Sequence, residues 1–388
     1  MDRETLKPFD SIRPFEPDEL PAVYDRLLAD PQFRAVLAYL YPGVPLDAIA
    51  AKMHSCPTCL DFQKAFCYEF IKKLLAKAST GCDINVESID VTACHTFVSN
   101  HRDIVLDSAL LDVLLIDAGS PTTCEIAIGD NLLSLPWVKD LVRINKSFIV
   151  ERGLPLRQML ASSKRMAEYM HLVIGQKHDN VWIAQREGRA KDSDDRTQEA
   201  ILKMMAMGGE GDAAQRLASL HIVPLSISYE YDPCDFHKAQ EFQLRRDVEG
   251  WRKSPGDDVV SMQTGIMGFK GRIHYQCAPC IDDWVLGIAA DTPKTEFFGK
   301  VAQHIDRQIF AGYRLYPNNY AAIDMLSGND AHSAHYTAAQ RQAFADYVEA
   351  QIDKCTLPNP DRSFLRESIL HMYANPALNQ LRLNSTQP

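Results

Sequence analysis

Short apolar runs alternate with longer amphipathic segments from residue 89 onwards. Short runs bounded by turn signals are typical of buried strands, whereas apolar residues that recur every three or four positions are typical of helices. This alternation predicts an α/β fold, in which a mixed, largely parallel sheet is flanked by helices. The predicted strands are 91–98, 124–128, 147–150, 180–184, 221–228, 262–271 and 272–277.

The segments on either side of this alternation are predicted to be helical. Prolines separate several amphipathic pieces before residue 85, and helical spacing returns after residue 292. We therefore predict a helical N-terminal region (1–85), an α/β core (86–290) and a helical C-terminal region (291–388). The predicted helices of the core and the C-terminal region are 107–115, 135–141, 156–174, 197–207, 295–309, 337–354 and 363–374.

The charge and hydropathy of the chain exclude some classes of function. Its net charge is −10, whereas general nucleic-acid binding needs a basic surface to neutralise phosphates. The N-terminus is charged and contains no apolar segment of the secretory type, so we expect a cytoplasmic protein. No window is apolar over the roughly 20 residues that a membrane-spanning helix requires. Any contact with a membrane is therefore expected to be peripheral, at its inner face.

The chain contains ten cysteines, which we expect to be reduced thiols because no secretory signal precedes them. Two Cys-x-x-Cys pairs, Cys56/Cys59 and Cys277/Cys280, could together form a tetrahedral zinc site. They are far apart in the chain and lack the Gly-rich or basic context of a zinc knuckle. We therefore expect these cysteines to be ordinary thiols that bind no metal.

A polar cluster at residues 99–107 interrupts an apolar strand and precedes an apolar helical run. It contains His101, with Asp103 two positions later and Asp107 six positions later. A carboxylate that fixes the tautomer of an imidazole allows the ring to act as a general base. From these residues alone, either aspartate is a possible partner, and a structural histidine at a helix cap is favoured over a catalytic one.

Three later segments end predicted strands with further polar residues. Residues 147–153 end in Arg152, residues 181–189 end in Arg186-Glu187-Gly188-Arg189, and residues 222–230 form an apolar run interrupted by Pro224. Together with Asn100-His101 and the following aspartate, these segments resemble, in order and spacing, the four sequence blocks of the glycerolipid acyltransferases. The resemblance covers roughly residues 90–280 and is greatest for the glycerol-3-phosphate acyltransferase branch.

The resemblance implies an O-acyltransferase that moves a fatty acyl group from a thioester to a hydroxyl of glycerol 3-phosphate or a lysophospholipid, in phospholipid synthesis. His101, oriented by Asp107 or alternatively Asp103, would act as general base without an acyl-enzyme intermediate. Substrate-binding roles fall on the remaining residues of the blocks: Asn100, Arg102, Arg152, Arg186, Glu187, Gly188, Arg189 and Pro224.

Two departures from the family pattern leave residue roles open. The aspartate usually follows the histidine by five positions, but position 106 is Leu and Asp107 comes one later. In the third block Arg189 follows Glu-Gly immediately, so the role of its arginine could belong to Arg189, Arg186 or Lys191.

The resemblance also bears on co-substrates and partners. No cofactor is expected; acyl coenzyme A or acyl carrier protein would supply the acyl thioester, and a lipid or glycerol-phosphate acceptor would meet it at a membrane surface. Two alternatives remain. The acceptor could be an amino-acid-containing lysolipid, or the chain could be a non-catalytic lipid-binding protein with the same fold.

Overall fold

The computed structural model describes residues 2–133, 135–289 and 292–385. A seven-stranded sheet with the order β1-β7-β6-β2-β5-β3-β4 lies at its centre. The neighbouring strands β6, β2, β5, β3 and β4 run parallel, whereas β7 pairs antiparallel with β6 and parallel with β1. The predicted mixed, largely parallel sheet is confirmed. The strands are β1 Gly81–Asn85, β2 Thr96–Ser99, β3 Cys124–Gly129, β4 Ser147–Val150, β5 Asn180–Ala184, β6 Ile222–Tyr229 and β7 Arg272–Cys277.

Helices cover both faces of the sheet and form both ends of the chain. Short π-helical segments at Gln63–Tyr68 and Val173–Lys177 continue helices α5 and α9. The α-helices are α1 Arg3–Leu6, α2 Leu20–Ala29, α3 Pro31–Leu40, α4 Leu46–His54, α5 Cys59–Phe62, α6 Glu69–Ala78, α7 Leu106–Asp117, α8 Pro136–Ile144, α9 Leu156–Leu172, α10 Glu199–Met205, α11 Ala213–Ala218, α12 Asp235–Asp247, α13 Pro255–Met267, α14 Asp282–Leu286, α15 Lys294–Ala311, α16 Pro317–Ser327, α17 Ala338–Ile352 and α18 Arg362–Ser385.

Strand alternation divides the core between the two faces of the sheet. In β2, Phe97 packs with the buried leucines of α7, whereas Val98 packs with residues of α9, α10 and α15. Every residue of β2 and of β6 is buried, as expected for strands that are covered on both faces. The central strand β2 is therefore held rigidly, which fixes the position of the polar residues that follow it.

The two ends of the chain form separate helical clusters. Apolar residues of α2–α5 pack with Ile144 of α8, and α16–α18 pack with Ala239 of α12. Most of these helices lie within the regions predicted to be helical. The first strand of the sheet, Gly81–Asn85, lies inside the region predicted to be helical. The predicted boundary at 290/291 lies outside the described residues, so the division into three regions stays a prediction.

Two predicted strands differ from the structure. The strand predicted at 262–271 is wrong, because Ser254 begins a helix with a reciprocal cap and α13 continues to Met267. The strand predicted at 91–98 begins only at Thr96. Upstream of it, the carboxylate of Asp90 accepts hydrogen bonds from the backbone N–H and hydroxyl of Thr92 and forms a turn.

No helix within residues 2–133, 135–289 or 292–385 combines the length and apolarity needed to cross a membrane.

Candidate active site

The candidate residues lie at one edge of the sheet. His101 follows β2, Arg152 follows β4 and residues 186–189 follow β5, and these strands are part of the parallel set. The carboxyl ends of parallel strands meet at one edge, where open α/β sheets bind their ligands. Three blocks separated along the chain therefore converge on one side of the molecule.

His101 and Asp107 form a hydrogen-bonded pair. The distance between His101 Nδ1 and Asp107 Oδ2 is 2.8 Å, and their side chains are 13% and 1% exposed. The same oxygen accepts the backbone N–H groups of Arg102 at 2.6 Å and Asp103 at 3.0 Å. Because the carboxylate occupies Nδ1, Nε2 is the ring nitrogen that can exchange a proton with a ligand.

Asp103, the alternative partner, has a different place. Its Oδ1 accepts the backbone N–H groups of Val105 at 2.9 Å and Leu106 at 2.8 Å, which caps the beginning of α7. Burial raises its pKa, and the neighbouring Asp107 adds to that rise. The structure thus pairs His101 with Asp107. The one additional residue between His101 and Asp107 lies in the loop before α7, which begins at Leu106. The hydrogen bonds of Asp103 to Val105 and Leu106 stabilise this loop.

Two aromatic residues that the sequence did not single out support this pair. The Trp182 ring meets the His101 ring edge-on, with 5.7 Å between centroids, and its Nε1 donates to Ser99 Oγ at 3.0 Å. The Tyr275 hydroxyl donates to the carbonyl oxygen of Asp107 at 2.9 Å. Only the pairing of β5 and β7 into the sheet brings these rings to the site; no spacing in the sequence signals them.

Asn100 and Arg102 are committed to protein partners. The Asn100 side-chain amide exchanges two hydrogen bonds with the backbone of Ile227, at 2.8 and 2.9 Å. The buried Arg102 guanidinium makes contacts of 2.6 and 3.2 Å with the carboxylate of Asp195. Both side chains therefore fix the loop that carries His101. Their predicted contact with substrate stays a prediction.

Arg152 extends from the edge strand β4 across the end of β3. Its Nη1 lies 3.2 Å from Oε1 of the exposed Glu187, which follows β5. A Cβ added at Gly129 would lie 2.6 Å from Arg152 Nε, so the side chain passes directly over this glycine. Arg152 and Glu187 are therefore brought together, as a partly exposed ion pair.

Arg186 and Arg189 are partly buried cations at the end of β5. The buried Nε of Arg186 and the buried Nη1 of Arg189 have no hydrogen-bonding partner in the described part of the chain. Gly188 between them has a φ of 69°, a left-handed conformation that favours glycine. Lys191, the third candidate for this role, is instead ion-paired with Glu241. Guanidinium groups in this state are suited to binding an anion.

A cavity of about 220 Å³ lies beside Arg189. Helices α12 and α13 form much of its wall. It adjoins the loop that carries His101, because one lining residue, Lys238, donates to the carbonyl oxygen of Arg102 at 3.3 Å. Burial, together with Arg189 and Lys253, lowers the pKa of His237, which also lines it. No sequence pattern indicates this cavity, because its walls come from segments far apart in the chain.

Pro224 lies within β6, opposite Val98 of β2. Because side chains alternate between the two faces of a strand, the Pro224 side chain lies on the same face as Ser226. The Ser226 hydroxyl donates to the carbonyl oxygen of Ile309 in α15. Ser99 and His101, two and four positions after Phe97, lie with it on the other face. The structure does not bring the Pro224 side chain to the His101 face, and its predicted role in acyl binding stays untested.

Residues 86–228, which contain the first three sequence blocks and most of the fourth, match the family model named Acyltransferase. This segment is therefore similar to the acyltransferase family. This match supports the prediction that the chain is an acyltransferase, whereas the glycerolipid type stays a prediction. No curated protein matches the chain significantly. Among solved structures, the chain is similar to the 1-acyl-sn-glycerophosphate acyltransferase PlsC of Thermotoga maritima, with 11% identity, coverage of 75% of this chain and 96% of that chain, and a TM-score of 0.35.

Proposed function

We propose that this acyltransferase transfers a fatty acyl group from an acyl thioester to a hydroxyl of glycerol 3-phosphate or a lysophospholipid. The observation that carries the proposal is the His101–Asp107 pair at the sheet edge where Arg152, Arg186 and Arg189 also lie. A general base and several cations at one edge fit an acceptor that carries both a hydroxyl and an anionic group.

The reaction proceeds in one displacement. His101 Nε2 takes the proton of the acceptor hydroxyl while its oxygen attacks the thioester carbonyl carbon. The tetrahedral intermediate then collapses, the carbon–sulfur bond breaks, and the thiolate leaves with the proton that His101 returns. Asp107 stabilises the imidazolium between these steps, and no acyl group is attached to the protein.

The anionic group of the acceptor is held by the arginines of the second and third blocks. Arg189 and Arg186 offer buried nitrogens without partners among the described residues, and the Arg152 guanidinium pairs with the exposed carboxylate of Glu187. A surface ion pair of that kind contributes little free energy, so Arg152 can exchange Glu187 for a phosphate at small cost. These three side chains give the acceptor site its positive charge.

The lipid substrate reaches the site from a membrane surface, at the cytoplasmic face. Helix α9 begins shortly after Arg152 with three exposed apolar side chains, Leu156, Met159 and Leu160. They continue the face of α9 whose later residues, such as Met166 and Met170, are buried in the core. The first one and a half turns of α9 are therefore apolar, exposed and close to the sheet edge. This suits them to shallow contact with acyl chains.

The test is thioester consumption by the purified protein with acyl coenzyme A or acyl carrier protein and a panel of acceptors: glycerol 3-phosphate, 1-acylglycerol 3-phosphate and an amino-acid lysolipid. We expect turnover with a phosphate acceptor, and its loss in His101→Ala. His371→Ala, an exposed histidine of α18, is the matched control. Turnover with the amino-acid lysolipid alone would reassign the acceptor, and lipid binding without turnover would favour the non-catalytic reading.

A further inference from the structure

The two Cys-x-x-Cys pairs of the sequence do not meet in the structure. Cys56 and Cys59 pack within the N-terminal helical cluster, whereas Cys277 is buried in the core of the sheet. All ten cysteines are free thiols. Cys280, the second member of the later pair, is instead half-buried beside two other side chains that can bind metals, His221 and Asp282.

These three side chains lie close enough to share one ion. An imidazole nitrogen of His221, the Cys280 Sγ and a carboxylate oxygen of Asp282 are all within 4.8 Å of one another. His221 Nδ1 and Asp282 Oδ2 are 2.6 Å apart. The two segments that carry them are joined by a backbone hydrogen bond of 3.0 Å from Ile281 to Ile222. The donors are therefore held together by the backbone and not only by flexible side chains.

Two further observations distinguish this group from an ordinary His–Asp ion pair. The second carboxylate oxygen of Asp282, Oδ1, is buried and has no hydrogen-bonding partner within the described chain. Leaving such an oxygen unsatisfied costs free energy that a cation would recover. His221 also has a φ of 48°, in the left-handed region that a residue with a Cβ rarely adopts, and strain of this kind is concentrated at functional positions.

We propose that His221, Cys280 and Asp282 bind a divalent transition metal, with zinc as the best match. One nitrogen, one sulfur and one oxygen donor suit a borderline-soft ion of tetrahedral preference. Binding displaces the thiol proton to solvent and converts Cys280 to a thiolate ligand. The half-exposed His221 leaves the fourth position open to water.

The role of this metal is structural. His221 immediately precedes β6, so the site lies at the amino ends of the parallel strands, on the opposite edge from His101. Asp282 begins α14, which follows β7. The ion would therefore fasten the beginning of β6 to the segment after β7. A site at that edge does not contact the acceptor or the thioester.

The first experiment measures metal in the full-length protein. We expect about one equivalent of zinc after purification in zinc-containing buffer, by elemental analysis after gel filtration. Cobalt(II) added to the chelator-treated protein should give a thiolate-to-metal charge-transfer band, and saturating zinc should raise the Tm by a few degrees. Absence of both zinc and the cobalt band in the wild-type protein would overturn the proposal, without reference to any variant.

The second experiment assigns the ligands. Cys280→Ser should remove the cobalt band, and His221→Asn and Asp282→Asn should each weaken zinc binding at least tenfold. Cys355→Ser, another half-buried cysteine, is the control and should keep both signals. A cobalt band that persists in Cys280→Ser would place the metal elsewhere and refute this site. Since the readouts are metal content and absorption, their failure is distinguishable from failure of acyl transfer.

Discussion

At the scale of residues, the carboxylate of Asp107 is the most constrained group of the candidate site. One oxygen is hydrogen-bonded to His101 Nδ1 and accepts two backbone N–H groups. The Tyr275 hydroxyl donates to the backbone carbonyl oxygen of the same residue. These contacts leave the carboxylate one orientation. Asp103, four positions earlier, instead makes the hydrogen bonds of a helix cap.

Replacement of these two aspartates should therefore have different effects. Asp107→Asn should lower kcat by about 10³–10⁴, because the amide no longer stabilises the imidazolium, as in other His–carboxylate pairs. Asp103→Asn keeps a capping oxygen and should change kcat by less than about tenfold, with a loss of roughly 1 kcal/mol in stability. Steady-state kinetics and urea unfolding of both variants measure the difference. A larger loss of kcat in Asp103→Asn would reverse the assignment.

The arginines of the third block should act on acceptor binding. Arg189→Ala should raise KM for a phosphate acceptor by about 100-fold with a smaller change in kcat, because a paired charge-assisted contact is lost. Arg189→Lys should recover only part of this, since an ammonium cannot make the bidentate contact. Arg196→Ala, an exposed arginine paired with Asp194, is the control. An unchanged KM in Arg189→Ala would exclude this residue from the acceptor site.

At the scale of elements, the site depends on where strands end. The ends of β2 and β5 are adjacent, and Arg152 reaches them from β4 because Gly129, at the end of β3, leaves room for its side chain. The strands 147–150 and 180–184 agree with the structure residue for residue, since each is a short apolar run with clear turn signals. The prediction of a strand at 262–271 is wrong because a short apolar run does not by itself distinguish a helix from a strand.

Gly129→Ala tests this dependence. The added methyl would lie 2.6 Å from Arg152 Nε and 2.5 Å from Asn131 Oδ1, so Arg152 must move. We expect KM for the phosphate acceptor to rise about tenfold while thioester KM changes little, because only the acceptor contact is displaced. Gly175→Ala is the matched control, because an added Cβ there meets no atom within 4 Å. Equal kinetics in the two variants would show that the position of Arg152 is unimportant.

At the scale of the whole molecule, buried carboxyl groups outside the site make stability depend on pH. Burial raises the pKa of Asp112, on α7, to about 7. The folded state therefore retains a proton that the unfolded chain releases above about pH 4. The contribution of Asp112 to the free energy of unfolding is fully present below about pH 4 and is lost as the pH rises towards 7.

Asp112→Asn should remove part of this dependence. Between pH 5 and pH 8 the free energy of unfolding of the wild-type protein should fall by on the order of 2–3 kcal/mol more than that of the variant. Urea unfolding at the two pH values measures this difference. Asp117→Asn, whose carboxylate has a lowered pKa because of Lys72 and Tyr68 despite some burial, should not flatten the profile. Parallel profiles for wild type and Asp112→Asn would contradict the assignment.

The sequence by itself determined the α/β class and most strands, and it predicted a family resemblance and a location for the site. It did so because apolar periodicity and the polar residues at strand ends are local properties. The tertiary structure decided which aspartate meets His101, since that depends on how the loop closes before α7. It also decided which guanidinium nitrogens lack hydrogen-bonding partners among the described residues, and it brought Cys280 to His221 and Asp282. Such contacts join segments that are distant in the chain, and only sheet order and register place them together.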